Sequence, residues 1–383
     1  MTRKMTQQQF TGIENILYLA FELGSKEWKL GFTTGFGQKT RLRKIESGDL
    51  VHLKAEIQSA KKRFKLSEDC KVMSCYEAGR DGFWLHRYLL TKEIDNYIVD
   101  SASIEVNRRN RRAKTDRLDA NSLVRLLMRY VFDKKVWSVV CVPSVEEEDQ
   151  RQLHRDLAAM KEESTQKINR IRGLLATQGV RIKGHLDLSG DRLESLRTPD
   201  RKPLPEGLKS RIRREWDRFM FLSKQMADLT SERDNAVKEC DLSELGIEKI
   251  RQLMLLRSIG PVNAWVLVKE IFGWRKFRNG KQVGSIVGLA PTPCQSGDSN
   301  YELGISKAGI VPVRRVAIEM AWNWLRFQPE SKLSCWYEER FSRGGKKARK
   351  VGIVALARRI IIALWRYLET GLIPEGAELK SEV

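Results

Sequence analysis

Along the first third of the chain, apolar and polar residues fall in short runs punctuated by turn residues. Further on, apolar positions recur at helical spacing. Ile16 to Glu22 and Trp28 to Thr34 are rich in aromatic and aliphatic residues and flank the turn sequence Gly24-Ser25-Lys26-Glu27. This predicts a hairpin with Glu22 at the end of a buried strand. A third short strand is expected near Leu42 to Ile45, followed by a basic amphipathic helix over Asp49 to Phe64. The run from Lys71 through Val72, Met73, Cys75 and Tyr76 stops at Glu77-Ala78-Gly79 and reads as a central strand with Glu77 at its tip. Gly82 to Leu90 reads as helix and Ile94 to Asp100 as another strand. Strands alternating with helices predict an α/β domain over residues 12–142.

After Pro143 the pattern changes. Leu153, Leu157, Met160, Ile168, Ile171, Leu174 and Leu175 mark a long charge-rich helix within Glu146 to Gln178, and a loop follows from Gly179 to Pro205. A second helix, Leu208 to Cys240, carries Trp216, Phe219, Leu222 and Met226 as its stripe. The two predict a helical coiled-coil arm over residues 143–245. The remainder, 246–375, is expected to be mainly helical, with helices near Val313 to Arg326 and Val351 to Trp365 separated by a basic loop from Arg340 to Lys350.

Charge changes this picture from architecture to partner. Lys and Arg number 70 against 49 Asp and Glu, a formal net charge of +21, and a surplus spread along the whole chain favours phosphate contacts with nucleic acid. A membrane partner is not supported: the apolar run at Val351 to Trp365 is broken by Arg358 and Arg359 and is shorter than a span. Met1 to Phe10 lacks an apolar signal core. Six cysteines without CxxC pairs fit free thiols in a reducing cytoplasm.

The candidate chemistry centres on Arg111-Arg112-Ala113-Lys114-Thr115-Asp116-Arg117-Leu118-Asp119-Ala120. Asp116 and Asp119 share one face if the segment is helical. Two readings fit. Either the carboxylates hold a hard divalent cation beside a phosphate-binding basic cluster, or Thr115 caps a helix whose first-turn acids match its dipole. Glu22 and Glu77, each at a strand end, are the acids such a cation site would gather.

Further along, Ile259-Gly260-Pro261 fits either a helix-hairpin-helix turn offering backbone N–H groups to a DNA phosphate or an ordinary helix–helix turn. Arg275, Lys276 and Arg278 surround Phe277, a mixture suited to phosphates or bases and equally to a solvated turn. In the Pro-rich loop Gly288 to Gly297, Ser296 reads as an exposed nucleophile or as part of a simple turn, with Lys307, Arg314 and Arg315 downstream on a strand-turn-helix. The histidines, at 52, 86, 154 and 185, lie outside that unit, which argues against a Ser-His-Asp hydrolase.

These motifs together resemble the insertion sequence 110 family of transposases. The resemblance rests on Tyr76-Glu77-Ala78-Gly79, on Lys114-Thr115-Asp116 with Asp119-Ala120, on Ile259-Gly260-Pro261, on Gly288-Leu289-Ala290-Pro291 with Gln295-Ser296-Gly297, and on Ser306-Lys307. It implies an RNase H-like, RuvC-type mixed sheet at the N-terminus, then the arm, then a transposase domain with a helix-hairpin-helix-like element. It implies that Glu22, Glu77, Asp116 and Asp119 hold Mg²⁺ or Mn²⁺, that Ser296 becomes joined to DNA, and that Arg111, Arg112, Lys114 and Arg117 contact nucleic acid. The implied partners are donor and target duplex DNA, an element-encoded guide RNA and further copies of the chain, as a dimer or tetramer, in the bacterial cytoplasm at the nucleoid. One position departs: where the family pattern begins with Asp, this chain reads Glu22-Leu23-Gly24-Ser25-Lys26, and the extra methylene moves the carboxylate by about 1 Å. A metal-dependent nuclease or resolvase, and a relic that only binds nucleic acid, are the alternatives.

Overall fold

A short turn brings β2 (Glu27–Thr33) back antiparallel on β1 (Ile16–Leu23), and β3 (Arg41–Glu46) continues the meander on the far edge of β2. These coordinates are a computed structural model describing residues 15–79, 82–104, 120–132, 136–239, 246–296 and 299–380, with backbone alone at 102, 292–296 and 299–303. The chain then crosses through α1 (Leu50–Arg63) to β4 (Lys71–Glu77), parallel to β1, and through α2 (Trp84–Leu90) to β5 (Ile94–Val99), parallel to β4. The sheet order is β3-β2-β1-β4-β5.

Helices cover both faces. Leu53 and Ile57 of α1 and Leu85 and Leu89 of α2 pack on Leu17, Leu19 and Phe21 of β1. On the other face Leu123, Val124, Leu127 and Met128 of α3 (Ala120–Phe132) pack on Tyr18, Ala20, Met73 and Cys75. Burial on both faces is why β1 and β4 read as unbroken apolar runs rather than as alternating ones. The α1 boundaries follow from its caps: the Asp49 side chain accepts from the His52 backbone N–H at 2.9 Å, and Lys61, Lys62 and Arg63 occupy the last turn.

The chain divides into two compact units, 1–142 and 143–383. The expected helix from Glu146 to Gln178 is two helices, α4 (Val145–Asp149) and α5 (Gln152–Ala176). A capping box between Ser144 and Glu147 starts α4. At the break, the Gln150 side chain accepts from Lys269 Nζ at 2.7 Å, and buried Arg151 lies 5.3 Å from the Trp274 ring. α5 packs along α7 (Glu206–Glu239). The intervening stretch, expected as a loop, contains the short α6 (Arg192–Ser195) and buries Leu186, Leu188, Leu193 and Leu204 against Ile171, Leu175, Leu208 and Ile212.

The C-terminal core is built from α8 (Ile247–Met254), α9 (Pro261–Leu267), α10 (Gly280–Ile286), α11 (Val311–Phe327), α12 (Lys332–Tyr337) and α13 (Lys346–Thr370). Two corrections to the expected elements arise here. The Pro-rich loop is a strand, β6 (Pro291–Ser296), paired antiparallel with β7 (Ser299–Ile305). A two-stranded ladder leaves one side of each strand unpaired, so prolines without N–H groups are tolerated, and the register shifts between Pro291 and Pro293. The basic loop from Arg340 to Lys350 is largely helical: a wide turn spans Glu338–Ser342 and α13 begins at Lys346. The absence of a side chain at Gly352 lets the Phe341 ring approach, since a Cβ there would sit 2.5 Å from it. Among the described residues no helix is long and apolar enough to cross a membrane.

Candidate functional site

Strand periodicity sets the site. In the parallel ladder Ala20 lies beside Cys75 and Phe21 beside Tyr76. One further step sets Glu22 beside Glu77, on the face that Ala20 and Cys75 share with α3, because side chains alternate along each strand. Adjacent strands are about 4.8 Å apart, so Glu22 and Glu77 stand at the same end of two neighbouring parallel strands.

A carboxylate at a strand end is favoured by a cation nearby. For Glu22 the protein supplies one: Lys29, its antiparallel partner on β2, donates from Nζ to both carboxylate oxygens at 3.1 and 3.2 Å. Sequence reasoning passed over Lys29, although a hairpin turning at residues 24–26 pairs positions 22 and 29. Beside this pair opens a cleft of about 460 Å³ lined by Glu22, Lys29, Leu42, Arg43, Lys44 and the first residues of α3, Ala120 and Asn121. Lys44 is held by Glu27 at 2.7 Å and Arg43 lies 3.6 Å from Glu56. The cleft therefore joins one carboxylate, a donor that suits a hard cation, to a basic strand edge that suits phosphate.

The approach of α3 depends on Gly31. A Cβ at that position would lie 2.8 Å from the Ala120 carbonyl oxygen, so only glycine lets the helix start so close to β2. The chain that enters the cleft at Ala120 follows directly on Asp119. Asp116 and Asp119 lie outside the described residues, as do Arg111, Arg112, Lys114 and Arg117. Among the described residues no three acidic, histidine or cysteine side chains form a metal-binding group.

The remaining predicted positions lie in the second unit. Ser296 is the last residue of β6, opposite Ser299 on β7. Gly260 is the N-cap of α9, with Pro261 opening the helix. Arg275 stacks on Trp274 at 4.1 Å, and Lys276 and Arg278 are exposed. Exposed Lys307 adopts a left-handed backbone, φ 56°, where β7 turns toward α11. Arg314 is a clasp in that turn, its guanidinium donating to the carbonyl oxygens of Val287 at 3.2 Å and Lys307 at 3.0 Å, and Arg315 is exposed.

One further group had no sequence signal. Fully buried Glu270, on a wide helical turn after α9, accepts from His154 Nε2 at 2.8 Å and from Arg155 at 2.9 and 3.0 Å. Burial pushes its carboxyl up, but the two hydrogen-bonded bases outweigh it and bring it to about 2.

A family model described as transposase IS116/IS110/IS902 matches residues 250–335. The chain is 38% identical over 378 residues to "Putative transposase y4rJ" of Sinorhizobium fredii, covering 95% of each chain. It is 24% identical over 261 residues to the transposase for insertion sequence element IS1111A of Coxiella burnetii, covering 67% of this chain and 66% of that protein. To the transposase for insertion sequence element IS1328 of Yersinia enterocolitica it is 22% identical over 216 residues, covering 56% of this chain and 60% of that one.

Proposed function

The chain belongs to the IS116/IS110/IS902 family of transposases, and we propose that it binds donor and target duplex DNA and cuts and rejoins their strands. The observation that carries the reading is the parallel register of β1 and β4, which ends with Phe21 beside Tyr76 and leaves Glu22 and Glu77 as the next residues of the two strands, with Glu22 lining a basic cleft where α3 begins at Ala120. The mixed five-stranded sheet with helices on both faces supports an RNase H-like, RuvC-type first domain. The second unit is read as an arm followed by a transposase domain.

Glu22, Glu77, Asp116 and Asp119 would hold Mg²⁺ or Mn²⁺, and the donor set fits: carboxylate oxygens at strand ends, one of them already balanced by a lysine. Such a metal, when bound, polarises phosphoryl oxygens and stabilises charge on attacking and leaving groups. The residues of the chain do the rest. Lys29 fixes the Glu22 carboxylate, while Arg43 and Lys44 draw the phosphate backbone to the cleft. Ser296 attacks a phosphodiester phosphorus through Oγ, giving up its proton and releasing a sugar hydroxyl, and the bond to the serine conserves the energy for rejoining. A guide RNA would supply sequence choice that base contacts by the protein need not supply. The long α5 and α7, with Met220 and Phe221 exposed on α7, support assembly as a dimer or tetramer.

The test expresses the full chain with its native flanking noncoding DNA, denatures it and probes for covalently attached DNA. Wild type should yield an adduct that Ser296→Ala abolishes and Asp119→Asn reduces at least about a hundredfold. Cleavage that persists in Ser296→Ala would replace this reading with hydrolysis. Cleavage seen only in Glu22→Asp would mean that the longer side chain at position 22 has silenced the wild-type enzyme.

A further inference from the structure

The second unit carries a cleft that neither the acids nor Ser296 use. It encloses about 810 Å³ between α12, α13 and the segment following α13, with Asn279 and Gly280 also in its lining. That is the volume of a small-molecule site. Two of its walls are the indoles of Trp336, on α12, and Trp365, on α13. The Arg359 guanidinium lies 3.9 Å from the centroid of the Trp336 ring, and Arg340 reaches the same ring at 5.6 Å. Arg366 is exposed in the lining.

This composition is unlike that of a structural packing defect. Two guanidinium groups share one indole, and among the described residues neither forms an ion pair with an acid. Burial and the Arg340 charge both press the Arg359 pKa below its usual range, which an anion would relieve. Lys332, by contrast, is already paired with Glu375 at 2.7 Å. Neither indole Nε1 donates to a described residue, although buried indole donors normally find an acceptor. Glu339 in the same wall suits the amino group of a base rather than a phosphate.

The geometry points to a receptor for one unpaired nucleotide, its base stacked on the Trp336–Arg359 pair and its phosphate met by Arg359 and Arg366. Every base has a π-face, so stacking on indole and guanidinium planes holds single-stranded nucleic acid with little regard to sequence. A duplex keeps its bases inside and cannot fill the cleft. The inference rests on the nucleic-acid reading above but concerns a different surface and a different form of nucleic acid, and RNA and DNA strands share the chemistry it names.

The experiment measures fluorescence anisotropy of labelled strands of about 15 nucleotides against the full chain, with RNA and DNA arms, fully abasic versions of each and a matched duplex. Wild type should bind a strand bearing bases about tenfold or more tightly than its abasic counterpart, and the arm with the larger ratio identifies the source. Trp336→Ala should erase that ratio and leave duplex binding unchanged. Trp336→Phe, which keeps a ring against Phe341, now 5.6 Å from the indole, should restore most of it. Arg359→Gln should weaken both versions and reduce the salt slope by about one. An equal loss for based and abasic strands in Trp336→Ala, or no loss at all, overturns the receptor while leaving duplex binding standing. Failure of wild type to bind any strand or duplex overturns the nucleic-acid reading and the receptor with it.

Discussion

Replacing Glu270 with Gln removes the one buried negative charge that faces His154 and Arg155 while changing the side-chain volume little. The amide keeps one acceptor oxygen, so one hydrogen bond survives, but the Arg155 pair loses its charge and its second oxygen. Breaking a buried ion pair by removing one partner costs about 3–5 kcal/mol. Arg155 is 41% exposed and recovers part of that from water, so the lower end applies. The carboxyl itself gives the same scale: a shift from 4.5 to about 2, at about 1.36 kcal/mol per pH unit, amounts to roughly 3 kcal/mol. For a unit of this size that is about 6–12 °C in melting temperature. The sign is set by linkage. The folded pKa is depressed, so the stabilisation is complete above pH 4.5 and is lost as pH falls toward about 2. The assay is thermal unfolding of wild type and Glu270→Gln at pH 7 and at steps down to pH 2.5. Wild type should lose stability across that window and the variant should lack this component, so the two curves converge in acid. A variant within about 1 °C of wild type at pH 7, or parallel curves through the acid range, would refute the reasoning.

The other expectations are simpler. Gly31→Ala places a Cβ 2.8 Å from the Ala120 carbonyl, so the first turn of α3 must retreat from β2; the first unit should lose about 1–3 kcal/mol in urea unfolding, and strand cleavage should fall more steeply than DNA binding. Cys141 and Cys335 are exposed whereas Cys70 and Cys75 are buried, and burial pushes the Cys75 thiol up. Brief alkylation followed by peptide mapping should label the exposed pair first and Cys75 only on unfolding; equal rates would contradict the packing of β4 against α3.

Much of the first unit was legible because its signals are local. The apolar runs gave β1, β2, β4 and β5 to within a residue or two, and the amphipathic pattern over Asp49 to Phe64 gave α1 to within a residue at each end. Even the Glu22–Lys29 pair was implicit in a short hairpin. The second unit was less readable where tertiary contacts override local preference. Prolines 291 and 293 signalled a loop, yet they sit in a strand because the ladder spares their missing N–H groups. Leu186 and Leu204 lie in a stretch of turn residues and are buried all the same, because α5 and α7 offer them apolar surface.

The strands of the first unit, most of the helices, the basic character of the chain and the family to which it belongs were all determined by the sequence alone, since each is encoded in residues close together or in motifs read in order. Tertiary structure alone decided which distant residues meet. Phe21 and Tyr76, and with them the strand ends that carry Glu22 and Glu77, come together through a parallel register that a crossover of more than forty residues must close. Glu270 meets His154 across 116 positions, and Trp336 meets Arg359 only when α12 packs on α13. Periodicity fixes the face on which a side chain lies. The packing of whole elements fixes what that face will touch, and no local pattern carries that information.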